Sequence, residues 1–215
     1  MAAVLCLDFD DAVLSNDITA AILERFAGLE AGSPLPGTEA ERIHTLRAAV
    51  SRIEAPRADL VAFVREKACV RDGFVDLVRW CNEHGWAPMV VTHAFDLAVG
   101  AVLRDPGLDR VAVHAGRMRF AYRWRLTYLS PRGVEVQDGF QLSYVAAMRQ
   151  AGDFVAMVCG PATSPEAATA ASVAFVPPPR PSPGRHAREW RDFTDIVAFL
   201  EGDARRETEE DTTAG

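Results

Sequence analysis

Strand-length apolar runs alternate with amphipathic helical stretches along this chain, which predicts a doubly wound α/β domain with a mostly parallel sheet. Two further observations sharpen the expectation. The first apolar run, 3–8, delivers acids at alternate positions, Asp8 and Asp10, to what becomes the carboxyl end of a buried strand. Open α/β sheets bind and transform their ligands at that edge. The helices between the first two strands are also too many for one right-handed crossover, so a small helical cap is expected after the first strand.

The elements follow in order. After the strand at 3–8, a helix carries Ile18, Ile22, Leu23 and Phe26 on one stripe, with Asn16 or Asp17 as its N-cap. Gly28 to Gly37 is a loop rich in Gly and Pro. Helices follow at about 39–53, with Ile43, Leu46, Val50 and Ile53 at helical spacing, and after Pro56, with Leu60, Val61 and Val64 inward. A helix at about 73–84 stops at Gly85, and 87–92 is the second buried strand. A helix at 95–103 and a short strand at 111–113 come next. Residues 117–125 alternate strictly: Met118, Phe120, Tyr122 and Trp124 on a core-facing side, Arg117, Arg119, Arg123 and Arg125 on the other. One half-buried strand is expected there, hairpinned with about 126–129 or 134–137. A helix at about 141–151, strand 154–159, helix 165–171 and strand 172–176 continue the alternation. Pro177 to Gly184 reads as a stiff connector, Trp190 to Leu200 as a last amphipathic helix, and 201–215 as a disordered tail. The expected division is a core of 1–15 and 73–200 with a cap at 16–72.

Composition narrows the function classes. A formal charge of −7 argues against nonspecific nucleic-acid binding, and no apolar run approaches a membrane span. Cys6, Cys69, Cys81 and Cys159 show neither C-x-x-C pairing nor zinc spacing. The start carries acids within its first apolar run, unlike a signal peptide, and a reduced, cytoplasmic protein is expected. The arginine face of 117–125 reads either as solvated surface or as a site for an anion or an acidic partner.

The run Asp8-Phe9-Asp10, then Asn16-Asp17, then Asp72-Gly73-Phe74, then Val90-Val91-Thr92-His93, resembles the haloacid dehalogenase (HAD) superfamily of aspartyl-phosphate hydrolases. Within it, the order and spacing are similar to the phosphoserine-phosphatase-like branch, which includes methylthiopentenyl-phosphate phosphatases. The resemblance covers roughly 3–200 and implies a HAD-type Rossmannoid sheet. It also implies Mg²⁺-dependent hydrolysis of a small phosphorylated metabolite. Asp8 then matches the nucleophile, Asp10 the acid/base and Thr92 the phosphate-binding hydroxyl. His93 and Gly160 fall where substrate is contacted.

Departures from the family pattern cluster downstream. Asp11 stands where Gly is usual, and Gln141 where a Lys should open a helix. Lys67, the only lysine, lies in the expected cap, leaving Arg132 and Arg149 as the neighbouring cations. Pro161 and Pro165 replace two acids, and Glu166 alone remains at the longer spacing. The expected metal set is therefore Asp8, the Asp10 carbonyl and Glu166, holding Mg²⁺ weakly. Two functions follow: a phosphomonoesterase with an altered metal site, or a catalytically degenerate HAD fold acting as a binding or interaction module. A phospho-receiver domain is excluded by chain length and by the lack of a downstream lysine.

Overall fold

The computed structural model describes residues 2–32, 37–104, 108, 110–178 and 186–202. Its centre is β1 (Ala3–Leu7), whose residues Leu5, Cys6 and Leu7 are wholly buried. Burial on both faces explains why this strand is apolar without alternation. It pairs in parallel with β2 (Trp86–Phe95) on one side and β5 (Phe154–Val158) on the other. The sheet has seven strands in the order β4-β3-β2-β1-β5-β6-β7, where β6 is Val173–Val176 and β7 is Ala187–Glu189. All neighbours are parallel except β3 (Ala112–Ala121) with β4 (Arg123–Thr127). The strand order reverses around β1, so the carboxyl ends of β1, β2 and β5 meet where such sheets carry their sites.

Helices cover both faces and the carboxyl edge. They are α1 (Ile18–Ala27), α2 (Glu39–Val50), α3 (Arg57–Lys67), α4 (Phe74–Glu83), α5 (Asp96–Val102), α6 (Phe140–Gln150), α7 (Pro165–Ala170) and α8 at 193–202. Asp17 caps α1, accepting from Ala20 N at 2.7 Å. Chain entering and leaving α1–α3 runs side by side: Ser15 N donates to Cys69 O at 2.8 Å and Arg71 N to Val13 O at 2.9 Å. The Asn16 side chain bridges the same two segments, through Lys67 O at 3.1 Å and Cys69 N at 2.9 Å.

The structure corrects three readings of the sequence. Residues 117–125 are not one strand but the two arms of a hairpin that turns at Tyr122, whose φ is +63°. Met118 and Trp124 are buried as expected, yet Phe120 is 63% exposed and Tyr122 fully exposed. Phe120 stands opposite Trp124 and Met118 opposite Leu126, so the alternation does mark one face, but Phe120 lies near the hairpin tip and Tyr122 in the turn itself, where the core no longer covers them. Of the segment 111–113, Ala112 and Val113 belong to the same β3, not to a separate strand. Finally, Glu201 and Gly202 continue α8, and Trp80 Nε1 donates to Glu201 at 3.1 Å, so the tail does not begin at 201. Most of the proline-rich connector, 179–185, and the tail at 203–215 lie outside the described residues.

Among the described residues no helix is long and apolar enough to cross a membrane.

Candidate active site

Asp8 follows the last residue of β1, and its N–H extends the ladder to Val158 O at 2.9 Å. Its carboxylate is 2% exposed and fully engaged. One oxygen accepts from the Thr92 hydroxyl at 2.7 Å and from Phe9 N at 2.8 Å. The other accepts from the Thr163 hydroxyl at 2.5 Å. The expected partnership of Asp8 and Thr92 across β1 and β2 is therefore present.

Thr92 sits in a departure from regular pairing. Val91 faces His114 and Phe95 faces Gly116, so 92–94 bulge out of the β2–β3 ladder. Tyr128, wholly buried, pins the bulge by donating to His93 O at 2.7 Å. Gly116 makes room for this: a Cβ there would stand 2.8 Å from Leu126 and 3.0 Å from the Tyr128 ring.

Residues 9–13 form one wide turn closed by Leu14 N to Phe9 O at 2.9 Å. Asp11 occupies the left-handed region at φ +55°, a conformation that favours glycine; Asp tolerates it better than most residues. Arg71 holds the turn by donating to Ala12 O at 3.0 Å and Asp11 O at 3.2 Å. Asp10 then points its carboxylate at the start of α1, accepting from Ile18 N at 2.9 Å. Burial pushes the Asp10 carboxyl well above the usual carboxylate range, and the nearby Asp17 and Asp8 charges push the same way. Burial also raises Asp11 and Asp17.

The position expected to carry a cation holds a neutral brace. Gln141 is wholly buried; its Nε2 donates to Val91 O at 3.0 Å and its Oε1 accepts from Ser164 N at 2.8 Å. It ties the β2 end to the loop before α7. Neither substitute arginine serves the site. Arg149 is exposed near the far end of α6, donating to Asp153 O, and Arg132 is exposed in the turn at 130–133.

His93 is not presented to an open cleft. Its Nε2 lies 2.9 Å from Glu39 Oε1, the two side chains being 5% and 8% exposed. The same Glu39 oxygen accepts from Phe140 N at 2.7 Å, so a carboxylate from α2 already occupies the positive end of α6. Arg42 donates to Ala162 O, and Arg47 reaches Glu135, Gln137, Leu126 O and Val136 O, so α2 is fastened across the carboxyl edge. Burial raises the Glu39 carboxyl, but its bonds to His93, Phe140 N and Gln141 N outweigh this and hold it below the ordinary range. A folded-state value below the unfolded one gives stability that is present above the ordinary carboxylate range and lost as pH falls through it. Glu39→Ala should therefore cost about 2 kcal/mol at neutral pH, with the difference shrinking under acid, as read by urea unfolding across pH.

Of the expected metal donors, the Asp10 carbonyl and one Asp8 oxygen both face the Gly160 position, while Glu166 is engaged elsewhere. Glu166 is exposed and accepts from Ser164 Oγ at 2.8 Å, in a recess of about 360 Å³ with Thr38, Glu39 and Arg42. Among the described residues no three His, Cys, Asp or Glu side chains are close enough to share an ion. A Cβ on Gly160 would overlap the Asp10 carbonyl oxygen and lie 3.6 Å from the Asp8 oxygen held by Thr163. Gly160 thus packs the space beside Asp8 and Asp10, and the Thr163 hydroxyl satisfies the carboxylate oxygen facing it. Mg²⁺ asks for near-octahedral oxygens with at least one or two available carboxylates. Asp8 and the Asp10 carbonyl supply one carboxylate and one carbonyl, the low end of that donor set, with Glu166 not joined to them. Thr163, Glu39 and Arg42 were missed by sequence reading. The first had a signal, a hydroxyl inside the proline-altered motif; the other two looked like surface residues of a helix.

A scan of protein-family models finds no match to this chain, and a search of curated proteins finds none either. Solved structures do match. A phosphoserine phosphatase in a phospho-aspartyl intermediate analogue is 18% identical, with TM-score 0.66 over 92% of this chain and 98% of that one. The phosphoserine phosphatase of T. onnurineus is 18% identical, with TM-score 0.67 over 93% and 94%. A HAD family hydrolase from Salmonella enterica serovar Typhi is 11% identical, with TM-score 0.57 over 92% and 71%. Sheet order, the Asp8 position and these matches define a HAD-type Rossmannoid fold. Within that class, its shape is that of the phosphoserine-phosphatase-like branch.

Proposed function

We propose that this chain is a catalytically degenerate protein of the HAD phosphatase fold, acting as a binding or interaction module, with 16–72 as a cap held shut over the former active site. The observation that carries this reading is the set of neutral groups around Asp8: hydroxyl and amide donors bond both carboxylate oxygens, and a glutamine stands at the cationic position. Phosphoryl transfer is catalysed almost entirely by positioning and by neutralising charge on the transferred group. Asp8, Asp10, Asp11 and Asp17 gather here, with Arg71 committed to the backbone of the turn. Two like charges about 5 Å apart repel by about 3 kcal/mol at an effective dielectric of ~20. A phosphate entering without a counter-cation meets such a repulsion from each of these acids that is ionised.

A second reading is favoured by one observation. Asp8 and Thr92 keep their partnership, and burial pushes the Asp10 carboxyl upward, the direction that suits a donor to a leaving oxygen. On that reading Asp8 is the nucleophile and Asp10 the acid/base for a small phosphomonoester. Substrate and Mg²⁺ then enter only after α2 lets go of His93, Phe140 and Ala162.

Phosphate release from an aryl phosphate with millimolar Mg²⁺ separates the two. The expected result is background release, equal in the unaltered protein and Asp8→Asn, and no Mg²⁺ binding by calorimetry. Mg²⁺-dependent release that disappears in Asp8→Asn would establish the enzyme.

A further inference from the structure

We propose that this protein self-associates head to tail, the tip of its β3–β4 hairpin seating in the groove between α4 and α8 of a second copy. The hairpin projects at the sheet edge with features that a solvated loop does not need. Tyr122 is fully exposed and held at φ +63°, a conformation that a bulky side chain adopts only under strain. Phe120 beside it is 63% exposed. Arg119 and Arg125 face each other directly across the strands, a destabilising arrangement for like charges. Only Arg119 is compensated, by Asp96 at 2.7 Å; Arg117, Arg123 and Arg125 have no ion pair among the described residues. The tip is also rigid: Trp124, 3% exposed, packs against Phe120 and donates its Nε1 to Ala55 O at 2.9 Å. A rigid aromatic tip flanked by arginines is the composition that dominates protein interfaces.

The complement lies elsewhere on the same chain. A groove of about 520 Å³ between α4 and α8 has an apolar floor of Leu77, Trp80, Phe193 and Val197. Its rim carries Asp72, Asp76, Asp192 and Glu201. Among the described residues no rim acid is locked in a buried ion pair: Asp76 shares an exposed contact with Arg79 at 2.8 Å, Asp192 accepts from Thr194 N and Asp195 N at the start of α8, and Glu201 accepts from Trp80 Nε1. Apolar floor meets aromatic tip, and four carboxylates meet the arginines. This charge complementarity selects a second copy as the occupant. The two patches differ, so the contact is heterologous and propagates as an open chain or closes as a ring. One hairpin in one groove makes a small interface, and the association is expected to be weak, concentration-dependent and salt-sensitive.

Sedimentation velocity of the full chain tests this. The weight-average mass should rise with concentration at about 0.1 M salt and fall back towards the monomer at about 1 M, where the screening length drops from about 10 to 3 Å. Arg123→Gln with Arg125→Gln removes the hairpin charge; Asp72→Asn with Asp76→Asn removes that of the groove. Each double variant alone should be monomeric. Mixed, they should pair the wild-type hairpin of one with the wild-type groove of the other and stop at a 1:1 species. Tyr122→Gly relieves the backbone strain, keeps the fold and should still weaken association, which guards against misfolded charge variants. A wild-type chain that stays monomeric at every concentration in low salt overturns the proposal, as does self-association unchanged in all three variants.

Discussion

Replacing Gln141 by Leu is expected to remove about 2–4 kcal/mol of stability, because it strips the partners from two buried backbone groups at once. Val91 O loses its donor and Ser164 N its acceptor, at a side chain that is wholly buried. An unpaired buried polar group costs about 1–3 kcal/mol, whereas the apolar volume of Leu returns little at a polar site. For a domain of this size each kcal/mol moves the midpoint by roughly 2–4 °C, so thermal unfolding should show a drop on the order of 5–15 °C. The effect should also appear locally. Ser164 caps α7 through Ala167 N at 3.3 Å, and Thr163 beside it holds Asp8. Faster amide exchange at 160–168 would follow if Gln141 is the brace of that loop. A Leu variant as stable as the unaltered protein would show that the brace is ornamental.

How far the sequence could be read follows from what kind of physics each feature depends on. Strands β1, β2 and β5 and helices α1, α4 and α6 were legible because burial writes a periodic apolar pattern, and because Asp17 and Gly85 mark helix ends locally. Asp8 and Thr92 were legible together because parallel pairing brings the carboxyl ends of adjacent strands to one edge. The hairpin was misread because a strict two-residue period does not announce a turn: 118, 120 and 124 share a face in space, but 120 and 122 lie at the tip, beyond the core that buries 118 and 124. The closed site was not legible at all. Glu39 lies 54 residues from His93 and 101 from Phe140, and nothing local in α2 announces that its first turn plugs the end of another helix. Glu166 failed for the converse reason. Its spacing matched, but Pro165 starts a short helix whose first turn leaves the side chain exposed.

Asp10→Asn is expected to stabilise the protein at neutral pH, the opposite of what most substitutions at a buried, hydrogen-bonded residue do. Burial, followed by the Asp17 charge, raises the Asp10 carboxyl well above the unfolded value. A raised folded-state carboxyl contributes stability that is fully present below the unfolded carboxylate range and is lost as pH climbs through the folded value. At neutral pH the fold therefore carries the strain of a buried acid that solvent would ionise freely. Asn keeps the oxygen that accepts from Ile18 N and cannot ionise. Its melting temperature at pH ~7 should exceed that of the unaltered chain by roughly 2–4 °C for each kcal/mol recovered, and the gap should close towards pH ~4, where Asp in the unfolded chain takes up its proton. Scanning both proteins by calorimetry from acid to neutral pH reads this directly. If the Asp10→Asn protein is instead the less stable of the two at neutral pH, the Asp10 charge has a cationic partner in solution, and Mg²⁺ becomes the first candidate. That outcome would move the balance to the enzyme. The expected outcome leaves Asp10 as an acid kept at the fold's expense, and makes the phosphate-release assay on the same variant the deciding companion.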